Sequence, residues 1–442
     1  MTLRRHFGAR GINSVARLHK FGGPARRTLS LLWLAFALCW SLPALAQGNN
    51  GNTVAAAPVV ETPLKGSIVG RVEDEGGQPV AGVLVFAFAV GGRANARDLT
   101  DDKGNFKLNS LVPAAYGLNV SVPGYVLDAE SQLDFGERRL YRPGDGATLR
   151  LVKGGVITGR VTDNAGEPVV GIHVRALRVR YADGRPVAGG GQITSQASQR
   201  QTDDRGIYRL YGLSPGVYVV SAGVKAGLTG YDADVPTYFP STTRDAAGEV
   251  QVLSSLEVAN VDIRHRGERG RIVSGRLEGM PAPTGPFGGS AAQVRLLHSA
   301  TGAEEASAFV RGDRQQQQGF AFEGVAEGQY DLVALGLIEG TTSLAATARG
   351  VRVRGADVTG LRLTLVPLAS IVGRVVFETA QGTSLTCPQP PARRPRPEEV
   401  LVSARRDGPE ADAGPTHLLS QARSAPDANG EFTLRGLDAA RY

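Results

Sequence analysis

The sequence predicts an all-β chain built as a tandem of β-sandwiches, and three observations carry that expectation. First, one unit recurs. Asp203–Tyr218 reads as an acidic-glycine turn, a short alternating strand and a Leu-x-x-Gly-x-Tyr corner, and the layout returns at Asp101–Tyr116, Gly319–Tyr330 and Asp427–Tyr442. Recurrence at a fixed internal layout marks an array of similar modules. Second, the four units open alike, with Gly70-Arg71-Val72, Gly159-Arg160-Val161, Gly275-Arg276-Leu277 and Gly373-Arg374-Val375. Third, beyond the N-terminal segment the apolar residues alternate with period two in runs of four to seven, divided by Gly, Pro, Asn and Asp, and no helical pattern of useful length appears.

The first 46 residues read as an export signal. Arg4, Arg5, Arg10, Arg17, Lys20, Arg26 and Arg27 precede an apolar run from Leu29 to Leu42, and Ala44-Leu45-Ala46 offers a small-x-small cleavage site. The run is shorter than the roughly 20 residues that span a bilayer, so no membrane-spanning segment is expected after cleavage. The formal charge of the chain is +7, and these seven cations meet no acidic residue within the segment, which leaves the remainder neutral (7 − 7 = 0). A nucleic-acid partner is therefore excluded, because its electrostatic footprint belongs on the folded part. Cleavage would remove Cys39 and both tryptophans, leaving Cys387 without a partner and the modules to hold by core packing alone. Residues 47–65 are Gly/Asn-rich and then Ala/Pro-rich, the composition of a flexible linker.

Four modules follow, at 66–153, 154–268, 269–367 and 368–442. The first two carry a Pro turn after the opening strand, Gly77-Gln78-Pro79-Val80 and Gly166-Glu167-Pro168-Val169. A glycine held at a fixed place in a strand marks a bulge or a close backbone approach. Gly144–Val152 and Val250–Arg264 supply further strands that close the sandwiches. In the fourth module the corner tyrosine, Tyr442, is the last residue, so the strand that follows the corner elsewhere is missing. Ala369–Tyr442 is expected as a truncated sandwich, disordered or prone to aggregate.

The Gly-Arg-Val opening, the Gly-x-Pro-Val-x-Gly turn, the Thr-Asp-x-x-Gly-x-Phe/Tyr strand and the Leu-x-Pro-Gly-x-Tyr corner resemble the carboxypeptidase regulatory-like domain. That resemblance covers about residues 66–442, closely in the first two modules. The third lacks the Pro turn and the acidic turn before Gly319, and in the fourth Cys387–Pro397 replaces the usual short turn. It implies transthyretin-like (prealbumin-like) Greek-key sandwiches, grouped with carbohydrate-binding-like folds, that act as non-catalytic extracellular or envelope modules.

Four features bear on chemistry. His265-Arg266-Gly267-Glu268 has the His-x-x-Glu spacing of a zinc carboxypeptidase, but a zinc site needs a third ligand and an open position. Arg264, Arg266, Arg269 and Arg271 surround it, and it reads as a solvated basic linker. The turns at Asp101, Asp203 and Asp427 supply too few oxygen ligands for calcium and suit Asx-type turns. Arg311-Gly312-Asp313 spells an adhesive tripeptide beside Gln315–Gln318, in a run that reads as an exposed hairpin loop. The corner tyrosines are expected to pack in the core with the hydroxyl bonded back to backbone. That leaves Tyr231, Tyr238 and Phe239, in the loop Gly230–Pro240, as candidate sugar contacts on an exposed loop. No metal, cofactor or catalytic centre is expected. The functional expectation is a secreted or cell-envelope array that binds polysaccharide or a cell-surface protein. The alternatives are an accessory N-terminal region of a larger peptidase or of an outer-membrane transporter, with the remainder lying past Tyr442.

Overall fold

The computed structural model describes residues 65–442 apart from 91, 93–94, 129–138, 188, 190, 192–197, 225–229, 281–289, 312–317, 339–340, 379–395, 408–418 and 420. The export signal, nearly all of the 47–65 linker, Gly312-Asp313, Gln315–Gln317, Cys387 and His417 lie outside the described residues. The segment 61–442 forms one compact unit.

Alternation of apolar and polar residues makes each strand one-sided, and two such faces close on one another in every complete module. The first module contains β1 (Gly66–Glu73), β2 (Leu84–Ala89), β3 (Asn95–Leu99), β4 (Asn105–Leu111), β5 (Tyr116–Ser121), β6 (Tyr125–Leu127), β7 (Leu140–Tyr141) and β8 (Gly146–Lys153). They form two sheets, ordered β4-β1-β8-β6 and β3-β2-β5-β7. Ile68, Val85, Leu108, Tyr116, Leu118 and Leu149 meet between them. The opening strand β1 is antiparallel to β4 on one side and parallel to the closing strand β8 on the other.

The second module repeats the plan. It contains β9 (Gly155–Thr162), β10 (His173–Tyr181), β11 (Gln199–Gln201), β12 (Ile207–Leu213), β13 (Gly216–Ala222), β14 (Thr237–Tyr238), β15 (Glu249–Val252), β16 (Glu257–Val258) and β17 (Ile263–Arg264). Here β9 pairs antiparallel with β12 and parallel with both β16 and β17. The third holds β18 (Arg271–Glu278), β19 (Ala291–His298), β20 (Glu304–Arg311), β21 (Gly319–Val325), β22 (Gly328–Ile338), β23 (Thr341–Val353), β24 (Val358–Thr364) and β25 (Val366–Pro367). Again the opening strand β18 lies between an antiparallel β21 and a parallel β24.

Two repeated glycine positions have a steric cause. The glycine of the Gly-Arg opening lies under its cross-strand aromatic partner and beside the closing strand. A methyl group on Gly70 would strike the Phe106 ring and the Ala147 carbonyl, and one on Gly159 would strike the Val261 carbonyl. The residue before the corner Leu or Val takes a left-handed backbone in all four modules, at Ser110 (φ 59°), Gly212 (φ 64°), Gly324 (φ 64°) and Gly436 (φ 80°). The register slips there in each ladder. In modules two and three a connector glycine rests on that bulge, Gly154 on Gly212 and Gly270 on Gly324, with no room for a Cβ between them.

The fourth module departs from the plan. Its described strands are β26 (Ala369–Arg374), β27 (Val402–Arg405), β28 (Gln421–Ser424) and β29 (Glu431–Leu437), in two separate pairs, β26-β29 and β27-β28. Leu434, Leu437 and Ala422 form a small core of their own. Leu419 and Leu368 cover the outer apolar face of the third module at Leu297, Val333, Leu335 and Ala345.

Candidate functional site

The acidic turns spend their carboxylates on their own backbone. Asp101 Oδ1 accepts the amides of Lys103 (2.9 Å) and Asn105 (2.7 Å), and Asp203 Oδ1 those of Arg205 (3.0 Å) and Ile207 (2.8 Å). These bonds hold Asp101 below the usual carboxylate range, and the Arg205 side chain does so first for Asp203. Among the described residues no three His, Cys, Asp or Glu side chains converge as a metal cage requires.

The loop Gly230–Pro240 contains the three aromatic candidates, and the structure places them differently from one another. Tyr231 is half-buried against the second core, and its hydroxyl donates to the Val170 carbonyl at 3.1 Å. Phe239 is half-buried against the same core. Tyr238 is only 5% exposed, so its ring is not an open stacking surface. The cause is local pairing: β14 adds to β13 with Ser221 opposite Tyr238, which turns the ring onto the sheet face that the third module covers. There the Tyr238 hydroxyl donates to Glu305 Oε2 at 3.2 Å.

His265 also departs from expectation. It is 4% exposed rather than solvated, because the connector pairs with the loop: Val235 N donates to the Glu268 carbonyl at 2.8 Å, and Gly270 N to the Ala233 carbonyl at 2.9 Å. His265 Nε2 stands 3.3 Å from Asp234 Oδ2, and Nδ1 stands 3.3 Å from Thr237 Oγ1. The Tyr231 ring meets the imidazole edge-on, with centroids 5.8 Å apart. Glu268 is turned away onto Arg266. The His-x-x-Glu pair therefore does not converge, and His265 pins the loop to the connector.

Around Tyr238 lies the feature that the repeats did not signal. Arg244 pairs with Glu305 across the joint between the second and third modules, and both side chains are largely buried. Arg244 Nη1 also reaches the Tyr238 hydroxyl at 3.3 Å, and His298 Nε2 lies 3.4 Å from Asp245 Oδ1. Burial, then the Glu305 carboxylate, pushes the Tyr238 and Tyr330 hydroxyls well above the ordinary phenol range. Thr243-Arg244-Asp245 leads into a short 3-10 turn, Arg244–Ala246, that no described residue of the first or third module matches, so no repeat position points to it.

This joint opens into a cavity of about 360 Å³. Pro236 and Val325 supply apolar wall, while Arg269, Arg271, Glu323 and Glu327 alternate in sign around it. Arg271 and Glu327 stand 4.0 Å apart. Planar guanidinium and carboxylate groups beside an apolar patch offer paired donors and acceptors to a polar, hydroxyl-bearing ligand.

Residues 67–139 match the family model of the carboxypeptidase regulatory-like domain, so the resemblance seen in the sequence holds for the first module. No curated protein sequence matches the chain. Among solved structures, the Bacillus anthracis TIE protein aligns at 14% identity over 68% of this chain and 50% of its own, with a TM-score of 0.18. GBS52, the minor pilin of Streptococcus agalactiae, aligns at 15% identity over 50% of this chain and 99% of its own, with a TM-score of 0.23. A streptococcal ancillary pilin aligns at 11% identity over 69% of this chain and 99% of its own, with a TM-score of 0.19. Among the described residues no helix is long and apolar enough to cross a membrane, which says nothing of strands.

Proposed function

We propose that the chain is a non-catalytic, secreted or envelope-attached array of β-sandwiches that binds polysaccharide or a cell-surface protein in the cleft between its second and third modules. The observation that carries this reading is the cleft itself: a polar cavity at a joint held by buried ionic groups, where binding sites commonly form. Tyr231 stands at the loop that forms one wall, and Tyr238 and Arg269 are among the lining residues. The export-like N-terminus supports the location, and the kind of domain matched in the first module supports a role without catalysis.

The test is a pull-down of purified chain on insoluble glycans of differing charge, with Tyr231→Ala combined with Arg269→Glu. Arg269 lines the cavity and is largely exposed, whereas Tyr231 packs on the second core and on His265, so an unchanged far-ultraviolet circular dichroism spectrum and melting midpoint are required of the variant before retention is compared. At least a tenfold loss of retention is expected, the equivalent of about 1.4 kcal/mol. Equal retention of the variant and the parent, or no retention of either on any glycan, would remove the polysaccharide reading.

A further inference from the structure

Strand β9 turns Gly159 and Val161 into the second core, which leaves Arg160 and Thr162 on its outward face. The closing strand β17 runs parallel beside it, with Arg264 opposite Thr162. Thr162 therefore has one arginine along its own strand and another across from it. Alternate residues of a strand lie about 6.6 Å apart and neighbouring strands about 4.8 Å apart, so both cations rise close to the same hydroxyl. With Ser241 and Arg266 these side chains line a depression of about 570 Å³ on the second module.

The other complete modules hold an acid at this place. The counterpart of Thr162 is Glu73 in the first module, opposite Arg150, and Glu278 in the third, opposite Thr364. Each glutamate stands by a guanidinium: Glu73 Oε1 is 3.5 Å from Arg71 Nε, and Glu278 Oε1 is 4.0 Å from Arg362 Nη1. In the second module the threonine brings no charge. Asp262 is the acid among the lining residues, and its Oδ1 accepts the Arg160 amide at 2.8 Å. Arg266 is held by Glu268. Arg160 donates through Nε to the Arg205 carbonyl at 3.0 Å. Among the described residues no hydrogen bond or ion pair engages the Arg264 guanidinium or the Thr162 hydroxyl. Ser241 Oγ accepts the Arg264 amide at 2.8 Å and keeps its own proton to give. The depression is rich in donors and short of acceptors.

We propose that this depression seats the acidic group of a polysaccharide, a uronate carboxylate or a sulfate ester, over Thr162 between Arg160 and Arg264. The inference rests on the reading of the chain as a polysaccharide binder and adds the charge of the ligand to it. An oxyanion there supplies the charge that Glu73 and Glu278 supply in the other modules, and a forked guanidinium matches two of its oxygens. Asp262 selects for sugar. Its second oxygen accepts a hydroxyl, which a uronic acid carries beside its acid group and an acidic peptide such as polyglutamate does not. Arg266 lines both this depression and the cleft at the joint, so one polymer reaches both.

The experiment measures the affinity of the whole chain, at low salt, for polygalacturonate, dextran sulfate, neutral dextran and polyglutamate. Binding to polygalacturonate or dextran sulfate is expected, and the tighter of the two tells carboxylate from sulfate. Arg160→Gln with Arg264→Gln should weaken it at least tenfold. Thr162→Glu, which installs the residue of the other modules, should do the same with both arginines in place. Arg352→Gln with Arg354→Gln removes two exposed charges from the third module and should change affinity less than twofold, which separates a site from net charge. All variants are compared at an unchanged melting midpoint. Equal affinity of the parent and the two site variants overturns this inference and leaves the cleft reading standing, since that reading rests on Tyr231 and Arg269. Binding to neutral dextran alone has the same meaning. Polyglutamate bound as tightly, and lost in the same variants, overturns it as well, the ligand then being an acidic protein. Absence of binding to every probe overturns both readings.

Discussion

Three corner tyrosines donate their hydroxyl to the carbonyl four residues earlier: Tyr116 to Val112 at 3.0 Å, Tyr218 to Ser214 at 2.7 Å and Tyr330 to Ala326 at 3.0 Å. The bond clamps the turn between two sheets, and the ring fills the core beneath it. In the fourth module Tyr442 instead lies near Asp438 Oδ1, and 3.0 Å from the Leu419 carbonyl, which ties the corner to the neighbouring segment. Removing a single hydroxyl tests the clamp, since the ring still packs and only the bond to the Ser214 carbonyl is lost. Tyr218→Phe should cost about 1 kcal/mol of stability, the net worth of a typical buried hydrogen bond. Chemical denaturation followed through the second module checks it, and an unchanged midpoint would mean that water replaces the bond. The corner was legible in the sequence because apolar spacing and a tyrosine recur together. The burial of His265 was not, because a histidine between arginines looks solvated until the chain 31 residues away, at Asp234, folds over it.

At the scale of elements, the openings and corners of all four modules, and the turns and closing strands of the first two, could be read from alternation and from Gly, Pro and Asp placement. Contacts between modules could not. They depend on the outward faces of strands, where period-two patterning records only that a residue is not in its own core. Tyr238 and the Arg244–Glu305 pair are the main example, being buried by a neighbour rather than by their own sandwich. Both charges are largely removed from water, so deleting one should hurt more than deleting both. Arg244→Ala is expected to cost about 3 kcal/mol by stranding Glu305, while Arg244→Met with Glu305→Met should recover most of that loss. Native-state hydrogen exchange at Val333 and Val250 reads the effect on either side of the joint. A double variant that costs as much as the two single variants added together would show that the pair is not coupled.

Across the whole molecule the tyrosines also set an alkaline limit. Burial pushes Tyr208 and, with the nearby Glu305, Tyr238 and Tyr330 far above the ordinary phenol range, and burial with the Asp438 hydrogen bond pushes Tyr442 up to about 12. Because the folded values are raised, their contribution to stability is complete below the unfolded value of about 10 and is lost as the pH climbs through the folded ones. Phenolate absorbance should therefore rise in two stages, exposed tyrosines near pH 10 and the rest only as the strand circular dichroism collapses at higher pH. A single stage near pH 10 with the sheets intact would contradict the burial described. The parallel pairing of opening and closing strands also sets how the first module meets a pulling force. Chain enters a module at the start of β1 and leaves at the end of β8, with only Gly154 before β9 begins. Tension applied along the chain thus pulls two adjacent parallel strands in opposite directions along their length. Their hydrogen bonds lie across that direction and share the load together, so the first module meets a stretching force in shear instead of being peeled open bond by bond.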